Sequence, residues 1–171
     1  MKMFSNSRPF LLTALLVASG SVFADAGHGP KSGAGGPADA SDATRTIEVE
    51  MTDNRYSLSE IDVAKGEVIR FVIHNRGQLV HEFNIGTPSM HASHQDEMLA
   101  MMQSGKMSPT KMMHGHGGKM GHDDPNSILL NPGESKELVW RFGEQVKGLE
   151  FACNVPGHYQ AGMVGRFRSR S

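Results

Sequence analysis

Cysteine is nearly absent from this sequence, because Cys153 is the single cysteine among 171 residues. The chain therefore cannot form an internal disulfide, although its length is enough for one domain with a proper core. In an exported protein, which meets an oxidising compartment, a lone thiol is buried, reactive or bound to a metal. The interpretation of Cys153 thus depends on whether the chain is exported.

An excess of charge of either sign is also absent. The chain has 17 Lys and Arg against 18 Asp and Glu, a formal net charge of −1, and its basic residues are scattered. Proteins that bind nucleic acid through its phosphates carry clustered positive charge. We therefore expect no nucleic acid among the partners.

Long apolar runs are lacking as well. The apolar run at residues 10–17 (FLLTALLV) is shorter than the roughly 20 residues that span a membrane. Lys2 and Arg8 precede it, and the small-residue stretch 21–24 follows it. This order predicts a secretory signal peptide over residues 1–24 and export to the periplasm, with no membrane contact after its removal. Cleavage after Ala26 and retention as a membrane anchor are the alternatives.

Residues 25–43 (DAGHGPKSGAGGPADASDA) contain no large apolar side chain. Such a segment cannot bury enough surface to offset the entropy of ordering it, which predicts a disordered leader. His28 within it could assist metal binding, but a solvated tail residue is the simpler interpretation.

The remainder, residues 44–171, has the pattern of an all-β domain. Short runs of alternating or β-branched residues are separated by Gly, Pro and Asn, as at the 131–133 turn. This pattern predicts an antiparallel β-sandwich of seven to eight strands. The predicted strands are residues 44–51, 61–63, 67–75, 80–85, 127–130, 136–142, 149–153 and 163–168.

Two polar residues, His81 and Cys153, lie on the apolar faces of their predicted strands. His81 alternates with Phe83, and Cys153 alternates with Phe151. A polar side chain on a core face needs a partner. His74 is the competing upstream histidine, but it alternates out of phase with the apolar residues of its own strand, so we prefer His81.

The end of the chain carries a Cys-x4-His-x4-Met motif formed by Cys153, His158 and Met163. A short loop bent at Pro156 can bring thiolate, imidazole and thioether to one point, and His81 would add a second imidazole. A thiolate with two histidines and a weak axial methionine is the donor set of blue-copper sites. Zinc could occupy such a site, although it rarely recruits methionine.

Four stretches together resemble the cupredoxins of the plastocyanin and azurin type. They are 71–75 (FVIHN), 80–83 (VHEF), 131–135 (NPGES) and 153–163 (CNVPGHYQAGM). The resemblance covers residues 44–86 and 127–171, and the Cys-to-His spacing is closer to azurin and auracyanin than to plastocyanin. It implies a Greek-key β-sandwich with one type 1 copper near one end. The family ligands correspond to His81, Cys153, His158 and Met163.

The resemblance also implies an activity. Cupredoxins transfer single electrons and perform no bond chemistry on a substrate, and their exposed histidine, here His158, is the electron exit. A redox protein would then be the partner beside copper ions, and we expect a monomer.

The 40-residue segment 87–126 departs from the simple family pattern. It holds eight of the 12 methionines and five of the nine histidines. We predict a short helix over residues 93–103, opened by a capping box of Ser93 and Asp96. On this helix His94 and three methionines share one face, which predicts either core packing or copper binding.

Residues 107–122 favour copper collection, because Met alternates there with Gly, His and Lys and no apolar neighbours indicate a core. Such additions resemble those of bacterial periplasmic copper-tolerance cupredoxins. The candidate accessory copper ligands of the whole insertion are His94, Met98, Met101, Met102, Met107, Met112, Met113, His114, His116, Met120 and His122.

Two functions are compatible with the sequence. They are copper tolerance, in which the protein binds or oxidises excess copper, and soluble electron transfer between respiratory partners. The four-ligand site serves either function, and the insertion favours copper tolerance. A multicopper oxidase or nitrite reductase would need a second His-rich centre and more domains. We found no nucleophile–base constellation and therefore expect no enzyme beyond weak oxidation of Cu(I).

Overall fold

The computed structural model describes residues 33–113 and 124–170. The signal peptide predicted for residues 1–24 and the leader residues 25–32 lie outside the described residues. The same holds for residues 114–123, which carry four of the candidate accessory ligands. No helix among the described residues is long and apolar enough to cross a bilayer.

Twelve strands, one α-helix and one 3-10 helix are formed by the described part of the chain. The strands are β1 (Gly35–Pro37), β2 (Arg45–Thr52), β3 (Arg55–Tyr56), β4 (Glu60–Val63), β5 (Val68–Asn75), β6 (His81–Gly86), β7 (Met107–Ser108), β8 (Lys111–Met112), β9 (Ser127–Leu130), β10 (Ser135–Phe142), β11 (Glu150–Ala152) and β12 (Val164–Ser169). Helix α1 spans Pro88–Gln103, and the 3-10 helix spans Ala40–Asp42. All eight predicted strands are present, with ends shifted by at most a few residues.

Two five-stranded sheets form a sandwich, which confirms the predicted architecture. One sheet has the order β1-β10-β5-β2-β3, and the other has the order β4-β12-β11-β6-β9. Most neighbouring strands are antiparallel, as predicted, but β2 pairs with β5 and β4 pairs with β12 in parallel. The chain crosses to the second sheet at β4 before it returns as β5, so β5 can run alongside β2 in the same direction.

Aromatic rings from both sheets fill the space between them. The ring centroids of Phe71 and Phe83 lie 5.2 Å apart, and those of Phe142 and Phe167 lie 4.8 Å apart. Phe151 covers Gly165 so closely that a Cβ there would lie 2.0 Å from its ring. The alternation seen in the sequence therefore corresponds to a two-sided core, as expected for packed sheets.

Residues 33–43 form regular structure, which corrects the prediction of a disordered leader for this part of it. Strand β1 pairs with β10, with Gly35 opposite Phe142 and Pro37 opposite Trp140. Ala34 is buried, and its carbonyl accepts a hydrogen bond of 3.4 Å from Trp140 Nε1. Edge pairing uses backbone groups, so a composition poor in apolar side chains does not exclude it.

Helix α1 begins five residues earlier than predicted, although it ends at the predicted Gln103. Its N-cap is Thr87, whose hydroxyl oxygen accepts the Met90 N–H at 3.3 Å, and Pro88 occupies the first turn. Proline fits there because it has no N–H to satisfy. Ser93 is no cap, and its hydroxyl instead donates to the Ser89 carbonyl inside the helix.

The strands β7 and β8 form a hairpin whose methionines belong to the core. Met107 and Met112 are buried, and Met107 lies opposite Met112 in the ladder. The sequence argument that residues 107–122 lack core support was therefore wrong for these two residues. Their apolar neighbours lie elsewhere in the chain, which a local pattern does not reveal.

Candidate metal centre

Three metal-binding side chains converge at one end of the sandwich. His81 is the first residue of β6, Cys153 directly follows β11, and His158 lies in the loop between β11 and β12. Cys153 Sγ lies 3.3 Å from His158 Nδ1 and 3.9 Å from His81 Nδ1. All three donor atoms lie within 4.8 Å of one another, and all three residues are buried. His74 lies elsewhere, with its Nδ1 2.7 Å from Ser135 Oγ.

Met163 is held beside this trio by the backbone of the loop. The Cys153 N–H donates to the Met163 carbonyl at 3.1 Å, and the Met163 N–H donates to the His158 carbonyl at 3.0 Å. Gly157 and Gly162 adopt φ angles of 91° and 93°, which a β-carbon would disfavour. The loop therefore folds back so that the backbone of the fully buried Met163 lies beside that of Cys153.

The spacing of the donor atoms fits a first-row transition metal. With metal–nitrogen and metal–sulfur bonds of about 2.0 Å and 2.3 Å, as in zinc sites, a trigonal centre separates sulfur from nitrogen by about 3.7 Å. The two observed sulfur–nitrogen distances, 3.3 and 3.9 Å, bracket that value. The site therefore needs only small adjustments to accept such an ion.

The protonation of the donors also fits metal binding. Burial, together with the charge of His81, lowers the pKa of His158 to about 4, and burial lowers the pKa of His81 despite its Asp53 partner. Both imidazoles are therefore neutral at pH 7, with a lone pair for a metal. Burial and the charge of Glu82 raise the pKa of the Cys153 thiol, so an arriving cation must displace its proton.

Comparison with known proteins decides the family. The family model for a cupredoxin-like domain matches residues 32–116. The copper-resistant cuproprotein CopI of Pseudomonas aeruginosa is 49% identical over 172 aligned residues, which cover 91% of this chain and 94% of that protein. The chain belongs to the CopI family of cupredoxins.

Other relatives of this cupredoxin agree. CopI of Rubrivivax gelatinosus is 36% identical, over 93% of this chain and 94% of that protein. Among solved structures, auracyanin B superimposes with a TM-score of 0.58 at 20% identity, covering 80% of this chain and 95% of its own. Auracyanin from Roseiflexus castenholzii gives a TM-score of 0.54 at 21% identity, covering 75% and 99%. At these identities the structural matches confirm the fold alone.

His81 of this cupredoxin is oriented by a carboxylate that the sequence did not reveal. Its Nε2 lies 3.1 Å from Asp53 Oδ1, which also accepts the N–H groups of Gln78 and Leu79. Metal-binding histidines commonly donate their second ring N–H in this way, which fixes the ring and its tautomer. Gly77 makes the contact possible, because a Cβ there would lie 2.3 Å from Asp53 Oδ1.

Glu82, which directly follows His81, is a second residue that sequence reasoning missed. Its N–H donates to Cys153 Sγ at 3.3 Å, and its carboxylate accepts the Asn154 N–H at 3.1 Å and Asn154 Nδ2 at 2.8 Å. Ser127 Oγ donates to the same carboxylate. The one available signal was a glutamate placed between His81 and Phe83, because a buried carboxylate requires partners.

The charge of Glu82 is balanced by His94 of helix α1. His94 Nε2 lies 2.7 Å from Glu82 Oε1, and both side chains are buried. Burial alone would raise the pKa of Glu82, but its bonds to His94, Ser127 and Asn154 outweigh burial and lower the pKa to about 2. Burial likewise opposes the charging of His94, yet Glu82 and two further carboxylates raise its pKa to about 9. The insertion therefore supplies the cation of a buried ion pair beside Cys153.

Helix α1 also packs along the Cys-His-Met loop. His91 Nδ1 lies 3.2 Å from Asn154 Nδ2, and the His91 ring lies 5.9 Å from the Tyr159 ring. At the surface, Gln160 Nε2 donates to Gln95 Oε1 at 2.7 Å. His158 is only 8% exposed, so the exposed histidine that the family resemblance implied is largely covered here.

Most of the predicted accessory ligands that the structure describes are buried in the core or pack against it. Met98 is fully buried in the core, and Met101 and Met102 pack against it. Among the described candidates, Met113 is the exposed methionine, at 51%. Four candidates lie outside the described residues: His114, His116, Met120 and His122. His94 is close to the carboxylates of Glu82, Glu97 and Asp124.

Proposed function

We propose that this cupredoxin serves copper tolerance in the periplasm by binding or oxidising excess copper. The proposed ligands are His81, Cys153, His158 and Met163. Copper bound there would supply one-electron chemistry between Cu(I) and Cu(II), to which soft sulfur and imidazole donors are suited. Supporting observations are the convergent donor trio and the 49% identity to a copper-resistant cuproprotein.

The protein's own residues would act mainly by holding the donors in place. Asp53 orients the His81 ring, and the Glu82 N–H bonds the Cys153 sulfur whether or not the thiol is ionised. The hydrogen-bonded loop ties the backbones of His158 and Met163 to that of Cys153. A site held in this way changes little in geometry between oxidation states, which favours electron exchange.

A soluble electron carrier between respiratory partners is the alternative function. The buried donor trio serves a carrier equally well, and the partner would then be a redox protein. The covered His158 argues against this alternative, because a carrier needs a short path from copper to its partner. We do not expect an enzyme, apart from weak oxidation of Cu(I), and we expect a monomer.

The site and the function are tested separately. Copper-loaded protein should show an intense visible thiolate-to-copper band, which Cys153→Ser should abolish; a variant that kept the band would refute the assignment. A strain that lacks the protein should be sensitive to copper and be rescued by the parent but not by Cys153→Ser. A strain that is impaired in respiration alone, with normal copper sensitivity, would favour the carrier.

A further inference from the structure

A second group of metal-binding side chains lies apart from the copper site. His94 Nδ1 lies 3.1 Å from Glu97 Oε2 and 3.7 Å from Asp124 Oδ2. One donor atom from each residue lies within 4.8 Å of the other two. Glu97 comes from the next turn of α1, whereas Asp124 comes from the segment that leads into β9. The group therefore joins two separate parts of the insertion.

A buried carboxylate outside this group fixes the direction of the imidazole. His94 Nε2 contacts the fully buried Glu82, which is itself held by Ser127 and Asn154. This contact leaves Nδ1 facing Glu97 and Asp124. A carboxylate on one ring nitrogen and a metal on the other is the usual arrangement of a metal-binding histidine. His81 has the same arrangement, with Asp53 on its Nε2 and Cys153 near its Nδ1.

We propose that His94, Glu97 and Asp124 bind a second divalent transition-metal ion, and that Glu82 couples this site to Cys153. One imidazole and two carboxylates form a nitrogen and oxygen donor set, which suits Cu(II) and Zn(II) rather than Cu(I). Among divalent first-row ions, such a set binds Cu(II) most tightly. Of the α1 thioethers, Met98 is buried in the core, and Met101 and Met102 pack against the core.

The coupling follows a short chain of hydrogen bonds. Glu82 contacts His94 through Oε1, Asn154 through Oε2 and the Cys153 sulfur through its own N–H. A metal ion that binds His94 Nδ1 releases the proton from that nitrogen of the imidazolium to solvent, while Nε2–H stays bonded to Glu82. The exchange changes the charge that faces Glu82, and with it the polarity of the groups around the thiolate. Coupling between two sites is reciprocal, so copper at Cys153 should also alter the affinity of the second site.

The competing interpretation is that His94 is only the cation of an ion-pair network. Zinc titration separates the two, because Zn(II) is spectroscopically silent and leaves the copper band readable. The full chain is used in a background in which His114, His116 and His122 are replaced by alanine, which removes three of the four other imidazoles of the insertion. Binding is measured by calorimetry on protein loaded with no more than one Cu(II) per chain, because excess Cu(II) would itself occupy the second site.

The background protein should bind one Zn(II) per chain, and Glu97→Gln with Asp124→Asn should weaken binding by more than about tenfold, since even outer partners of metal ligands are worth about 10–100-fold. Asp96→Asn is the matched control, because it removes an exposed carboxylate from the same helix. Equal zinc affinity in the double variant and the background, or no zinc binding in the background, would overturn the site.

The coupling has its own readout. Zinc should shift the maximum of the thiolate-to-copper band in the background at constant intensity, and should not shift it in the double variant. Zinc binding without a shift would overturn the coupling through Glu82, and a loss of intensity would mean displacement of copper. The zinc stoichiometry is repeated in Cys153→Ser, so failure of the second site is distinguished from failure of the proposed copper site.

Discussion

Met98 offers the sharpest test of what the methionine-rich helix does. It is fully buried in the core, although its position beside His94 on one helix face also fits a copper ligand. Met98→Ala should destabilise the metal-free protein, because it removes apolar contacts and leaves a cavity. Met98→Leu should not, because leucine has a similar volume and no sulfur.

The size of the effect follows from the burial of the side chain. Truncation of a fully buried methionine to alanine costs about 2–5 kcal/mol, whereas a volume-conserving exchange costs less than about 1.5 kcal/mol. For a domain of this size, about 3 °C of melting temperature corresponds to 1 kcal/mol, so Met98→Ala should melt about 6–15 °C lower. The free energy of unfolding comes from urea titration and the melting temperature from calorimetry.

The number of copper ions bound per chain under Cu(I) loading decides whether Met98 is a core residue or a copper ligand. If Met98 is a core residue, the leucine variant should bind as much copper as the parent. If Met98 is a ligand, the leucine variant should lose copper while keeping its stability. That second result would refute the packing argument, and with it the interpretation of α1 as a docked structural element.

Three further tests concern the surroundings of His81 and His94. Asp53→Asn should weaken copper binding by about 10–100-fold at unchanged fold, because the His81 ring loses its carboxylate; unchanged affinity by competition titration would contradict this role. Gly77→Ala should act in the same direction, because its Cβ would lie 3.0 Å from His81 Nε2 and closer still to Asp53. The metal-free protein should lose stability as the pH rises from about 6.5 towards 9, because His94 keeps its proton to about pH 9 when folded and loses it near 6.5 when unfolded. His94→Gln should remove the part of that slope that lies between about pH 6.5 and 8 in urea titrations. The Cys153 thiol, whose pKa folding also raises, adds a slope of the same sign only at higher pH. An unchanged slope below about pH 8 would show that another group causes it.

The sequence predicts the framework of the molecule better than the environment of its site. Alternation of apolar residues places the eight main strands, and the phase of that alternation separates His81 from His74. Neither Asp53 nor Glu82 belongs to a local pattern, because each meets its partner through contacts between distant segments. Strand β1 was missed for a related reason, since backbone pairing at a sheet edge leaves little trace in side-chain composition.

The structure also narrows the copper-collecting tract predicted for the insertion. Met107 and Met112 support the core, so deleting residues 107–122 would lower stability for reasons unrelated to copper. Replacing Met113, His114, His116, Met120 and His122 with serine or asparagine tests the tract and leaves both core methionines in place. If the tract collects copper, this variant should bind fewer Cu(I) ions than the parent and keep its visible band and melting temperature. An unchanged stoichiometry above one would instead assign the extra copper to groups outside the tract, and a stoichiometry of one in the parent would remove the need for a collecting tract.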